Sequence, residues 1–315
     1  MQEKYKLAYV PDAKAYTDAP PSMMVLMKQR RRWQNGALFG TAKVIGNCVN
    51  MISCTRTKHN CCRQLCMCIF MSYTTTFFVF QFFIVGAMFA AIYVFFNEIF
   101  ASVFSGNWLF AEIYNKGIFT EIFVYIYIFM LVLSLIIALA LPLDRANVCF
   151  MIVTVVFSFL TMSCIFGMTF YLSQSGLFPE EKKFNRDKWV WEGTGEHHFS
   201  FLVLSGIIML CIYVVPFVMR PLDVLKNFRG YTIGLISYLL LIPMYSNVFQ
   251  IYGMSNLHDI SWGNRPSVSG GTEAFSAHAA KQAATAADYM TFRANFLFFW
   301  LLCNGAYFFV VLNIG

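Results

Sequence analysis

The sequence predicts an all-α membrane protein: a polytopic helical bundle of about six transmembrane helices, preceded by a short cytosolic segment with amphipathic interfacial helices. Three observations predict it. Of 315 residues, 58% are apolar and 12% charged, against about 25% charged in an ordinary soluble domain. Six stretches contain no Asp, Glu, Lys or Arg: 64–97, 122–143, 146–179, 197–219, 230–258 and 294–315. Charge is also unevenly placed. Residues 1–64 hold 11 of the 23 Lys and Arg but only Glu3, Asp12 and Asp18 of the 16 acids, so this stretch is +8 and the remaining 251 residues sum to −1. Such a composition excludes a disordered acidic chain, a disulfide-rich secreted miniprotein and a soluble enzyme.

Each uncharged run is long enough to cross a membrane. About 20 helical residues span the hydrocarbon core, and a charged side chain at its centre costs about 2.5 to 3.5 kcal/mol. No apolar run with a small-residue cleavage site opens the chain, so no cleavable signal peptide is expected. The cytosolic side carries the excess of Lys and Arg, which places residues 1–64 in the cytosol and 65–315 in the membrane region. Strict alternation then puts Asp144 and Arg145, and the loop with Arg220, Lys226 and Arg229, on the cytosolic side. Loops 98–121 and 180–196 fall outside. That arrangement sets 15 basic residues inside against 8 outside.

The basic segment carries the chemistry. Residues 5–10, YKLAYV, alternate as a short strand does, and TDAPP supplies turn chemistry. Pro20 and Pro21 suit a helix start, Ser22 is a cap and Gly36 a stop, so SMMVLMKQRRRWQN reads as about four helical turns. Gln29, Arg32 and Trp33 stand at i, i+3 and i+4 and share one face. Arg is planar, permanently charged and able to fork two bonds onto a phosphate, while Trp offers a flat plate with a polar edge. Together they suit a diphosphate beside a sugar ring. A polybasic stretch lying on anionic lipid is the plainer alternative.

The letters around this helix go further. Gln29 to Trp33, QRRRW, followed by QNG, resembles the signature of chitin synthases, processive family 2 glycosyltransferases of the membrane, and YKLAYVPDAKAYTDAP is similar to the segment that leads into it. Far downstream, SNLHDISWGNRP resembles a second chitin synthase segment, through Asn256, His258, Asp259, Ser261, Trp262 and Gly263. Asn264 and Pro266 depart from the usual residues and point to an oomycete-type member. The resemblance implies transfer of N-acetylglucosamine from UDP-GlcNAc to a growing β-1,4 chitin chain, with inversion, and passage of the polymer outward through a multi-pass protein of the plasma membrane. It assigns Arg32 the catalytic role of neutralising the leaving diphosphate, with Arg30 or Arg31 assisting. Gln29 and Trp33 would position the acceptor sugar, and Ser261, Trp262 and Gly263 would also bind substrate. The implied partners are UDP-GlcNAc, the chitin chain, membrane lipid and a second copy of the chain as a homodimer, without nucleic acid.

The family's Asp-x-Asp metal motif and Glu-Asp base pair do not occur in these 315 residues. No metal ligand is therefore assigned here. Mg²⁺ or Mn²⁺ is expected on a domain outside the chain, which reads as an inactive fragment. A cellulose or hyaluronan synthase would share Q-x-x-R-W but not HD-x-SWG, and a non-catalytic transporter or channel would be expected to carry charged or broken intramembrane helices.

Three further features are weighed. Cys48, Cys54, Cys61, Cys62, Cys66 and Cys68 crowd together with His59. Their spacing lacks the paired C-x2-C ligands of a zinc module, which leaves reversible acylation of juxtamembrane thiols or small apolar filler. In the loop 176–196, Trp189 and Trp191 read as interfacial aromatics or as contacts to an emerging polymer, and His197 and His198 as interfacial. The segment 264–288 reads as a flexible turn leading into an Ala-rich helix that continues into the last span. Finally, five crossings from a cytosolic start would put Trp262 outside, whereas chemistry on UDP needs it inside. The expected resolution is that 230–258, broken at Pro243, turns back without crossing, rather than that SWG serves the exit side of a channel. Pro216 and Pro243 otherwise read as ordinary helix bends rather than as kinks in a channel wall.

Overall fold

The computed structural model describes residues 10, 12–13, 15, 20–49, 60–104, 118–175, 180–185, 190–197, 211, 214–215, 217–259 and 275–314. Nine helices and one hairpin are assigned among them: α1 (Met23–Gly46), α2 (Cys61–Phe82), α3 (Ile84–Phe104), α4 (Ile118–Ala140), α5 (Asn147–Ser175), β1 (Glu180–Asn185), β2 (Val190–His197), α6 (Pro221–Lys226), α7 (Phe228–Pro243), α8 (Phe249–Ser255) and α9 (Phe275–Ile314), with a π-helical turn, Met244–Val248, joining α7 to α8. The expected all-α polytopic bundle is present. Five helical stretches are long and apolar enough to cross a membrane: Cys61–Phe82, Glu121–Ala140, Asn147–Gly167, Phe228–Ser255 and Ala287–Val311, with a shorter apolar stretch at Ile84–Asn97. Of the six uncharged runs, 197–219 lies mostly outside the described residues, and of the expected strand at 5–10 only Val10 is described. The Ala-rich segment does run into the last span, as the single 40-residue helix α9.

The polar loop before the fourth run is not wholly irregular. β1 and β2 pair antiparallel, with Phe184 opposite Trp191, Lys183 opposite Glu192, and a register shift between Glu180 and Lys182.

Run 64–97 is not one helix. Its 34 residues exceed one crossing, and the helix breaks at Phe83, whose φ of −94° and ψ of 8° depart from helical geometry. The break is filled from α9. The Asn304 side-chain amide donates to Phe82 O at 3.1 Å and accepts from Gly86 N at 2.9 Å, replacing the bond those two backbone groups would make with each other. Trp300 Nε1 also donates to Phe82 O, at 2.8 Å. Lipid offers no water to unpaired backbone groups, so a break at this depth needs such partners. Gly86 admits the approach: a Cβ there would stand 2.8 Å from the backbone oxygen of Asn304.

Helix directions follow from pairs of contacts. Phe89 meets Tyr127 and Phe96 meets Phe123, so α3 and α4 run antiparallel. Phe82 meets Trp300 and Phe89 meets Phe308, so α9 runs parallel to α3. Asn247 donates to the Tyr127 hydroxyl at 2.6 Å and Asn256 reaches Ala138 O at 3.5 Å, so α8 runs parallel to α4. Tyr127 sits fully buried, stacked on Phe89 and edge-on to Phe157, near the middle of the core.

Phe228–Ser255 does not turn back. Backbone angles at Pro243, Met244, Val248 and Phe249 are all right-handed helical, and Phe249 N–H bonds Met244 O in the wider π pattern. The wider turn absorbs the proline, whose missing N–H and ring would otherwise disrupt the ladder. The expected non-crossing loop is thus replaced by one continuous helical path.

Removing the Asn304 amide should expose what the break depends on. Asn304→Leu leaves Phe82 O with Trp300 as its donor and Gly86 N–H without an acceptor, at about 1 to 3 kcal/mol for that buried unsatisfied group. We expect a clear fall in the thermal midpoint of the detergent-solubilised protein; an unchanged midpoint would show that the insertion adds nothing.

Candidate functional site: the QRRRW helix and the segment it holds

α1 begins as the sequence predicts and ends later. The Ser22 hydroxyl accepts from Val25 N at 3.4 Å, capping the first turn. Gly36 does not stop the helix, which continues to Gly46 with Lys43 in its last turn. A helical glycine costs about 1 kcal/mol relative to alanine, less than the contacts of the flanking turns supply.

Packing divides the helix into two faces. Met27, Arg31, Gln34 and Leu38, at successive spacings of four, three and four, point at the bundle, with Met27 and Arg31 buried. At 100° per residue, Gln29, Arg32 and Trp33 lie on the opposite side. Trp33 keeps 56% of its surface exposed, and Arg30 lies over its ring at 4.9 Å, within reach of Tyr245 at 5.9 Å. The three arginines therefore have separate surroundings: Arg30 against aromatic rings, Arg31 inward, and Arg32 on the face of Gln29 and Trp33.

Arg31 is the residue whose surroundings the motif alone does not reveal. Only 3% of it is exposed, and its guanidinium pairs with the Asp259 carboxylate, itself 35% exposed, and hydrogen-bonds Tyr252. Burial pulls the Arg31 pKa below the ordinary arginine value; Tyr252 acts against that and Arg32 adds to it. Alongside, Lys28 Nζ bonds Asp144 Oδ1 at 2.8 Å, in the tight turn between α4 and α5. Both pairs fasten α1 to the same end of the bundle, where Asn256 reaches Ala138. Asp259 stands two residues before Ser261 in sequence, and it is the last described residue before the SWG motif. Ser261, Trp262 and Gly263 themselves lie outside the described residues.

Deeper along the contact, amides converge. Gln34, Gln81 and Gln250 line a small cavity with Phe78 and Phe82, at the junction of α1, α2 and α8. A Cβ at Gly253 would overlap Gln34 Oε1, so the glycine lets α8 lie close to α1. The π turn and α8 carry further buried polar side chains, Ser246, Asn247 and Ser255, inside an uncharged span. Among the described residues, no group of three His, Cys, Asp or Glu is placed to hold a metal ion; Cys54 and His59 lie outside them.

The sequence comparisons fit this geometry. Residues 1–48 match the model of the chitin synthase-like glycosyltransferase domain. Chitin synthase 2 of Cryptococcus neoformans var. grubii is 26% identical over 276 residues, covering 83% of this chain and 26% of that protein. Chitin synthase 1 of Phytophthora sojae is 27% identical over 270 residues, covering 83% and 26%, and chitin synthase 3 of Pyricularia oryzae is 24% identical over 265, covering 82% and 27%. The chain is chitin synthase-like, and it spans about a quarter of the length of these curated relatives. Their identities lie so close together that they favour no one source.

Two expectations follow. Breaking a buried pair from one side strands the other charge, at about 3 to 5 kcal/mol when the remaining group stays dry. Asp259→Asn strands the dry Arg31, whereas Arg31→Met leaves a carboxylate that water reaches, so Asp259→Asn should lower the thermal midpoint more and the double variant should recover part of the loss. Equal loss from both single variants would contradict the asymmetry.

His258 supplies the second. Its pKa is lowered from the ordinary 6.5 by burial first, then by Arg293 and Arg31. The unfolded chain then binds the proton more readily than the folded one, so stability rises with pH through the window below 6.5 and is lost as pH falls through it. Thermal unfolding measured from about pH 7.5 to about pH 5.5 should show that loss, and His258→Asn should flatten it. A slope that the variant leaves unchanged would assign the effect to other groups.

Proposed function

We propose that this chain is the membrane-embedded, polymer-handling region of a UDP-GlcNAc-dependent chitin synthase of the plasma membrane, extending a β-1,4 chain and conducting it across the bilayer. One observation carries the reading. The face with Gln29, Arg32 and Trp33 lies opposite the face that packs on the bundle, where Arg31 pairs with Asp259 of the HD-x-SWG motif. Arg32 neutralises charge growing on the departing diphosphate, the place where a fixed cation favours the transition state over the ground state. Trp33, with Arg30 on its ring, offers the acceptor sugar a flat apolar plate, and Gln29 supplies its amide. Arg31 acts through position: it holds Asp259, and with it the segment leading to Ser261, Trp262 and Gly263.

Several features support passage of a polar polymer. Gln81, Gln250, Ser246, Asn247 and Ser255 set hydroxyls and amides inside uncharged runs, with Gln34 of α1 facing two of them, and intramembrane polar groups of this kind mark pathways. The uridine site, the general base and the Mg²⁺ or Mn²⁺ ligands belong in this reading to residues outside the chain, which alone would not turn over UDP-GlcNAc. With residues 1–64 cytosolic, the pair of Arg31 and Asp259 lies at the cytosolic end.

The test is a chimera in which this chain replaces the matching region of the Phytophthora sojae relative. Membranes containing it should convert UDP-GlcNAc to insoluble polymer. Arg32→Lys should lower turnover by about 10²- to 10³-fold without altering insertion, since an ammonium cannot make the forked contact. Trp33→Ala should reduce chain extension more than release of UDP to water. Near-normal turnover by Arg32→Lys would move the diphosphate role elsewhere.

A further inference from the structure

We propose that Cys62 and Cys66 are S-acylation sites that accept a long-chain fatty acyl group from a cytosolic acyl thioester. Four thiols crowd the first two turns of α2, and Cys61, Cys62 and Cys66 are exposed. Exposure alone does not distinguish them. The helical wheel does: Cys62, Cys66, Ile69, Tyr73, Phe77 and Phe80 follow at spacings of four, three, four, four and three and fall within one arc of about 80°. All six are exposed, and Tyr73 stacks on Phe77 along the stripe. Cys61 and Cys68 lie about 100° or more from the stripe's midline.

The stripe is an apolar face that the other described residues leave exposed, and it is headed by two sulfurs. α2 packs against α1 on another side, so the thiols are not closed off by the QRRRW helix. Arg63 lies between them in sequence, and residues 1–64 are strongly basic, which fits a position at a cytosolic membrane surface, where acyl thioesters are available. Competing uses of the thiols are disfavoured: no metal-holding group forms among the described residues, and disulfides do not persist in a reducing compartment.

The chemistry balances without an oxidant or reductant. The cysteine thiol loses its proton, and the thiolate sulfur attacks the acyl carbonyl carbon. A carbon–sulfur bond forms to the protein, the bond from the acyl carbon to the donor's sulfur breaks, and the departing thiolate takes up a proton. Two acyl chains would then lie beside Ile69, Tyr73, Phe77 and Phe80, holding the start of α2, and through it α1, at the membrane surface. Two anchors are the number that makes such attachment stable.

The chain is expressed in a eukaryotic cell, its free thiols are blocked, thioesters are cleaved with hydroxylamine, and the released thiols take a mass-tagged maleimide. Wild type should gain two tags that require hydroxylamine, Cys61→Ser/Cys68→Ser should still gain two, and Cys62→Ser/Cys66→Ser should gain none. No hydroxylamine-dependent tag on wild type, or tags retained by Cys62→Ser/Cys66→Ser, would overturn the proposal. Mass spectrometry of chymotryptic peptides from wild type gives the decision without any variant: acyl mass on Cys62 and Cys66 supports it, and unmodified peptides or acyl mass on other cysteines refute it.

Discussion

A guanidinium that loses its water must be given an anion, and Arg31 has lost nearly all of its water. Much of the arrangement at one end of the bundle follows from that requirement. The anion is Asp259, beyond the end of α8, so α1 cannot bury its inner face without fixing where the chain leaves the span. Tyr252, one turn before that exit, shares the guanidinium. A buried ion pair contributes little net stability against apolar side chains of the same shape, but it penalises every register in which either charge lacks its partner. Here that selectivity sets the QRRRW helix against the end of α8 and Asp259. Lys28 and Asp144 add a second, more exposed point of attachment, weak in energy but consistent in place.

The membrane imposes a parallel demand on backbone groups. Two of the five described uncharged runs contain an irregularity, and each is completed differently. At Phe83 the ladder is interrupted and the Asn304 amide takes the place of one backbone bond. At Pro243 the ladder widens by one residue, so the chain continues without an inserted partner. The same widening shifts the phase of the side chains that follow. In the π turn, Asn247 meets the Tyr127 hydroxyl and Ser246 bonds back to Ile242 O. An irregular span can thereby carry polar side chains on its protein-facing side.

How much of this was legible in the sequence depends on the range of the force involved. Bilayer thickness acts on composition, so uncharged runs disclosed the bundle, and the start of α1 was legible because a Ser hydroxyl caps a helix locally. Its end was not, since Gly36 carries a stop signal that helical neighbours on both sides override. The break at Phe83 was hidden because its cause, Asn304, lies more than 200 residues away. Proline at 243 suggested a reversal, yet whether a helix breaks, kinks or widens is decided by packing around it. At the candidate site, the shared face of Gln29, Arg32 and Trp33 could be read from spacing. The partnership of Arg31 could not, although the apolar spacing of Met27 and Leu38 on either side of it marked the inward face.

That partnership also gives a reason for three consecutive arginines. Successive residues on a helix are turned by 100°, so three of them sample most of the circumference, and no two can serve one point. If Arg31 points into the bundle, Arg30 and Arg32 are turned to either side of it. Arg30 meets the rings of Trp33 and Tyr245, and Arg32 joins Gln29 and Trp33. A shorter basic run would lose one of these directions: without the first arginine Trp33 has no cation over its ring, without the second Asp259 is not held, and without the third no cation shares the face of Gln29 and Trp33. The motif is contiguous in sequence because its duties are spread around a helix, and the helix is held in rotation by the one arginine that is buried.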